Sequence, residues 1–420
     1  MNAIRRPEPS RIVRISLATG ERQRLSAPPA GAPGDAEAVV SPDGRLIAFE
    51  RASEVAIQDI WIMDSSGGKP RQITHDGAGT LGLAWMPDSR HLVVSSRRGS
   101  SLQRLWRFST SGGESVCLTD AAVAASWPSV SQSGRIAYAS RFFDVNIWRF
   151  DLANAAPPAR LIASNVLDSG AQYSPDGGHI AFRSNRTGND EVWVVDAGGR
   201  EPVRLTHFAG PVAGSAQWSP DGSVIALDSR PYGNADVFLA AANGSNLRRF
   251  TDSPSNEVLP RFSSDGRALY FASDRSGSWQ IWKQPIAGGA AAKQITINGG
   301  FAGYETADGR WLYFSKGGET TGLFRSPSEG GEESLIIPDL PGSMWGNWAP
   351  RAGGSEIAYV SVSGAERLCV WDVAKGVSRT IAPLPFAPVY RDTGLGLSPD
   401  GRIALVSQTE RAGSTIYVGE

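Results

Sequence analysis

One short phrase returns nine times along the 420 residues, and its spacing limits what the chain can fold into more than any other feature. It reads Ser41-Pro42-Asp43-Gly44, then Pro87-Asp88-Ser89, Ser131-Gln132-Ser133-Gly134 and Ser174-Pro175-Asp176-Gly177. It continues as Ser219-Pro220-Asp221-Gly222, Ser263-Ser264-Asp265-Gly266 and Thr306-Ala307-Asp308-Gly309, decays at Gly353-Gly354-Ser355, and ends with Ser398-Pro399-Asp400-Gly401. Successive copies lie 43 to 46 residues apart. A chain this long would otherwise suggest two or three domains, but repeats extend a structure without needing a second core.

The phrase has a mechanical reading. Pro presets φ for the second position of a type I turn, Asp bonds the local backbone, and Gly relaxes the exit. Trp85, Tyr173, Trp218 and Phe262 stand three places before the anchor Asp, at the end of an inner strand. Apolar runs such as Ile180-Ala181-Phe182 and Ala268-Leu269-Tyr270-Phe271 follow the turn and suit a strand buried on both faces. A third strand carries a large aromatic: Trp61, Trp106, Trp148, Trp193, Phe238, Trp282 or Phe324. A Gly-rich hairpin then leads to an outer strand ending in Ile-Thr or Leu-Thr, as at Ile73-Thr74 and Leu205-Thr206. Four strands per period of about 40–45 residues is the arithmetic of a propeller blade. The expected fold is therefore all-β: a β-propeller of four-stranded blades, with nine repeats over residues 11–420 after a disordered N-terminus at 1–10. One continuous ring of eight or nine blades is expected, closed by pairing Arg22–Ser26 with Thr415–Val418. The alternative is an incomplete propeller of two or three blades followed by a ring of six or seven.

Composition excludes more than it assigns. Lys and Arg number 41 against 42 Asp and Glu, so the net charge of −1 gives no general pull toward nucleic acid. Cys117 and Cys369 have no metal or disulfide spacing and read as free thiols. No apolar run reaches the ~18 residues of a membrane span, and Met1–Ser10 lacks the apolar stretch of a signal peptide.

Ser-Pro-Asp-Gly, Ile-Ala-Phe, Ser-x-Arg-x-Gly, the Ile-Trp or Val-Trp pair, Gly-Gly and Leu-Thr together resemble the TolB-type, WD-like propeller repeat. The resemblance runs from about Arg11 to Val418. Within it, Asn146–Leu152, Asn185–Trp193 and Phe301–Gly309 look like the propeller sensor region of bacterial winged-helix regulators. It implies a periplasmic, monomeric scaffold or sensor; the DNA-binding domain of those regulators is not in this sequence.

No reactive constellation accompanies the repeats. A nucleophile elbow, His-Glu-x-x-His, Cys-x-x-Cys and a phosphate loop are all missing from the sequence. His75, His91, His179 and His207 sit at repeat-equivalent places in different blades, where convergence on one ion is not expected. The anchor aspartates read as turn formers, and Arg97, Arg141, Arg186, Arg230 and Arg275 as structural bonds between strand ends. The irregular residues are the candidates. Trp345 and Trp348, within Gly342–Trp348, and Tyr390 with Arg391 all precede inner strands, where propeller loops open on the channel rim. The expectation is a non-catalytic scaffold with no cofactor and no metal, binding a protein partner or small ligand at that rim. The alternative is a polysaccharide-active lyase or hydrolase.

Overall fold

In the computed structural model, residues 8–419 are described apart from 30–31, 55–56, 100–101, 120–123, 155, 209–211, 233 and 289. They are almost wholly antiparallel sheet, with two 3-10 turns at Gly342–Met344 and Ala352–Gly354. Most of residues 1–10, expected to be disordered, lies outside the described residues, while Ser10 makes a parallel bridge to Gly34.

The blade containing Asp176 shows how the repeat folds. Asp168–Tyr173, His179–Ser184, Glu191–Asp196 and Val203–Arg204 pair in that order. At the anchor turn the Gly177 N–H donates to Ser174 O at 2.8 Å. Asp176 Oδ1 accepts from the Ser174 hydroxyl at 2.5 Å and from the Gly178 N–H at 2.9 Å. The second strand is sealed, with Ile180, Ala181 and Phe182 wholly buried; each such large side chain contributes about 1.5–3 kcal/mol. The Leu-Thr ending also has a cause. Thr206 Oγ1 accepts the Val192 N–H at 2.9 Å, so the hydroxyl continues the ladder where the two-residue outer strand stops. Thr74, Thr251 and Thr296 repeat this bond.

Contacts divide the chain into two compact units, Phe143–Ala412 and Met1–Phe142 with Gly413–Glu420. The larger unit holds five complete four-stranded sheets, with anchors at Asp176, Asp221, Asp265, Asp308 and the decayed copy at Gly354. A sixth sheet is assembled from both ends of the unit. Leu395–Leu397 pairs with the strand Ile403–Gly419, that strand pairs with Ile136–Asp151, and Ala159–Ile162 pairs outside it. The innermost strands touch in circular order, from Asp168–Tyr173 through to Leu395–Leu397 and back. Tyr304 and Trp348, 5.1 Å apart, make the contact between the Asp308 sheet and the next. Residues 143–412 thus form a closed six-bladed propeller.

The smaller unit has two four-stranded sheets, anchored at Asp43 and Asp88, and Ser126–Val130, which pairs with the first part of the Ile136–Asp151 strand. It also has a separate hairpin of Val13–Ile15 with Arg22–Arg24. The expected single ring of eight or nine blades is therefore corrected. The N-terminal strand pairs within its own hairpin and not with Thr415–Val418. An anchor marks only the inner two strands of a blade. The outer half of the third repeat leaves its own inner hairpin and closes the ninth repeat's sheet instead.

Candidate binding rim and channel

The inner strands of the six-bladed ring start at Asp168, Ala213, Glu257, Ala302, Trp348 and Leu395. The loops ahead of the last two interlock. Asn347 Nδ2 donates to Val389 O at 2.9 Å, and the Arg391 N–H donates to Ser343 O at 2.7 Å. Gly346 is required here, because a Cβ would stand 2.3 Å from Asp392 O. Two sequence-separated groups of candidates thereby meet on one rim. Trp345 is half-buried and packs edge-on against Phe301 at 5.0 Å, which packs edge-on against Trp279 at 5.1 Å. Tyr390 is 46% exposed. Arg391 holds a positive φ of 58°, and its guanidinium reaches into solvent 3.9 Å from Glu319.

Trp348 is a correction. It has no exposed surface. Its Nε1 donates to Trp345 O at 2.7 Å, and its ring fills the seam against Tyr304. Trp348 therefore packs in the core beneath the rim, with Met344, Ile357 and Tyr359, and not on its surface.

Beneath the rim lies a charged group that sequence reading missed. Arg183 stands 3.4 Å from Asp190 and 3.6 Å from Asp392, whose Oδ2 also accepts the Ser169 hydroxyl at 2.8 Å. Burial works against the Arg183 charge, but Asp190 and Asp392 outweigh it and hold the guanidinium pKa above its ordinary value. Burial pushes the Asp228 carboxyl up. Arg183 and Asp228 occupy one repeat position, seven after the anchor, shared with Glu50, Ser95, Ser315 and Ser407. That position bonds the neighbouring blade's inner strand. Glu50 accepts the Gly82 N–H at 3.1 Å, Asp228 the Leu259 N–H at 3.4 Å, and Ser407 the Gly170 N–H at 3.3 Å. These N–H groups sit at recurring β-bulges, whose extra residue re-aims the strand. Holding the repeat in register and asking which slots carry a charge in place of Ser is the signal that finds Arg183.

At the anchor-turn end of the ring, a cavity of about 270 Å³ is lined by inner-strand ends of five blades, including Gln172, Gln217, Ser264, Glu305 and Pro399. Arg261 bonds Gln217 and donates to Tyr304 Oη at 2.8 Å while stacking over its ring. Glu305 accepts from Tyr270 Oη and the Ser264 N–H, each at 2.6 Å.

Two of the recurring arginines make structural bonds. Arg186 lies over Phe182 and Trp193 and pairs with Asp168 at 2.9 Å. Arg275 does the same with Phe271, Trp282 and Glu257. The anchor carboxyls of Asp43, Asp176, Asp221, Asp265, Asp308 and Asp400 fall below their ordinary pKa, first because a Ser or Thr hydroxyl donates to them; Asp221 and Asp308 reach about 2. His91 is bonded to Asp88 at 2.6 Å. Both cysteines are free thiols. Among the described residues no cluster of His, Cys, Asp or Glu is arranged to hold a metal, and no helix is long and apolar enough to cross a membrane.

Comparison with known proteins agrees with the repeat. A segment of 119 residues is 44% identical to the Tol-Pal system protein TolB of Bordetella pertussis, covering 28% of this chain and 27% of that protein. The same values hold for the Bordetella bronchiseptica protein of that name. The chain thus matches about a quarter of the length of these relatives. The crystal structure of TolB from Acinetobacter baumannii aligns over 92% of this chain and 81% of its own, at 15% identity and a TM-score of 0.45. Residues 205–337 match the TolB beta propeller domain family, so this part of the ring is built of TolB-type propeller repeats.

Proposed function

We propose that the six-bladed unit is a non-catalytic binding scaffold that engages a protein partner through the rim carrying Trp345, Phe301, Tyr390 and Arg391. The observation that carries this reading is the interlocking of the 342–346 turn with the 389–394 loop. It presents an aromatic row beside an exposed tyrosine and an exposed arginine on a rigid ring. Tyr, Trp and Arg are the residue types that dominate protein interfaces, and loops on a stiff frame lose little entropy on binding. The partial match to a protein named for the Tol-Pal system supports a partner from such a system; a periplasmic site of action and a monomeric state are further parts of the proposal. A sensor role like that of winged-helix regulator propellers is a narrower form of the same proposal.

The test is calorimetry of the purified chain against the Pal component of a Tol-Pal system. Binding is expected, and Tyr390→Ala with Arg391→Ala should weaken it about tenfold or more with the fold unchanged by circular dichroism. Absence of binding removes the Tol-Pal partner. Binding that survives the double variant moves the interface off this rim.

A further inference from the structure

A groove of about 370 Å³ opens between the Asp221 and Asp265 blades. Val224, Leu239, Phe262 and Ile286 line it, and they belong to the apolar cluster that joins these two blades. Asp221 and Asp265 stand on its wall, as do Asn246 and Arg248.

The next cleft shows why this one is open. Strand register makes Lys293 the counterpart of Arg248. In the hairpins that follow, Glu329 is the counterpart of Ala287. Between the Asp265 and Asp308 blades, Glu329 binds Lys293 at 2.9 Å and Lys283 at 2.7 Å, and Tyr270 Oη donates to Ser328 O at 3.2 Å. That seals the space. In the smaller unit Arg71, again at the Arg248 position, donates to Thr110 O of the following blade's hairpin. In the open groove the acid is replaced by Ala287, and Ala226 stands where Tyr270 would reach across. A Cβ at Gly288 would meet nothing within 4 Å, whereas at Gly199, Gly244 and Gly330 in equivalent turns it would press on the preceding blade. Arg248 is exposed and has no ion pair or side-chain hydrogen bond among the described residues.

The groove is also polarised. At its inner end, Asp221 and Asp265 each commit Oδ1 to the anchor turn and leave Oδ2 outside those bonds. At its outer end stand Arg248 and Asn246. An anchor turn and an outer strand are about two and a half strand spacings apart, on the order of 12 Å. An extended tripeptide spans roughly 10 Å.

We propose that this groove binds a short apolar peptide of two or three residues in extended form. Its α-ammonium lies at Asp221 and Asp265, its side chains lie on Leu239, Phe262 and Ile286, and its carboxylate lies at Arg248 and Asn246.

The test is methyl NMR titration of the full chain with Leu-Ala-Leu, its N-acetyl form and its C-terminal amide. The free peptide should shift the Val224, Leu239 and Ile286 methyls, and each blocking group should weaken binding about fivefold or more. Arg248→Ala should make the acid and the amide equal, and Asp265→Asn with Asp221→Asn, which keep the turns' Oδ1 acceptors, should make the free and acetylated peptides equal. Ala287→Glu restores the acid that closes the neighbouring cleft and should abolish binding. Three peptides of equal affinity, no groove shifts at millimolar peptide, or binding indifferent to Ala287→Glu would each overturn the proposal.

Discussion

Arg275 illustrates how a repeated charged residue acquires a structural role. Its guanidinium covers Phe271 and Trp282 and pairs with Glu257, whose side chain has no exposure to water. Removing one partner of such a pair leaves an uncompensated buried charge, which costs about 3 kcal/mol. Arg275→Ala is therefore expected to lower the urea unfolding free energy by about that amount. Burial raises the Glu257 pKa even with Arg275 present. The folded state then holds its proton longer than the unfolded state, so the variant should lose further stability as pH climbs above the ordinary Glu range. A wild-type urea midpoint would contradict this. The structural role of Arg186 and Arg275 was legible in the sequence because they recur with aromatics at fixed offsets. Arg183 was not, since its meaning depends on which neighbours cross from the adjacent blade. Trp348 was misplaced for a related reason: sequence shows that a tryptophan sits ahead of an inner strand, not which way its ring turns.

The anchor turn is the element on which the chain's acid behaviour should depend. Asp221 is held at about 2 by the Ser219 hydroxyl first and by the Ser223 N–H and hydroxyl; Asp308 is held there by Thr306 and Arg310. A carboxyl whose folded pKa lies below its unfolded value stabilises the fold above about pH 4, and that contribution is lost as pH falls toward 2. The double variant Asp221→Asn, Asp308→Asn should therefore show a shallower fall of unfolding free energy between pH 4 and pH 2 than the parent. Urea melts along that pH series check this, and parallel curves would refute it. Blades were readable at this scale because turn chemistry, the two-sided apolar run and the capping threonine are all local. The recurring inner-strand bulge was not readable, since Gly82, Trp127, Ser215 and Leu259 share a positive φ but no residue type.

At the scale of the whole molecule, the sequence counted nine repeats and left open how they divide. The answer rests on one long-range choice, the pairing of the Ile403–Gly419 strand with Ile136–Asp151. Glu410 fastens it inside the six-bladed unit. Its carboxylate accepts Trp148 Nε1 at 2.9 Å and binds Arg160 at 2.6 Å, while itself almost fully buried. Glu410→Ala should cost roughly 2 kcal/mol. It should also reduce amide exchange protection over 145–151 more than over the Asp221 and Asp265 blades; uniform protection would show that this contact does not hold the closure. No local pattern encodes that choice, because partner strands 262 residues apart carry the same motif as every other pair.

The same closure sets an order in time. The strand that completes the sixth blade leaves the ribosome 262 residues after the strand it must find. At 5–20 residues per second, the wait is roughly 13–50 s. Throughout it, the edge that will receive its partner strand remains open to any other extended chain nearby. Yield in the cell should thus depend on how well that nascent edge is shielded until its partner strand arrives.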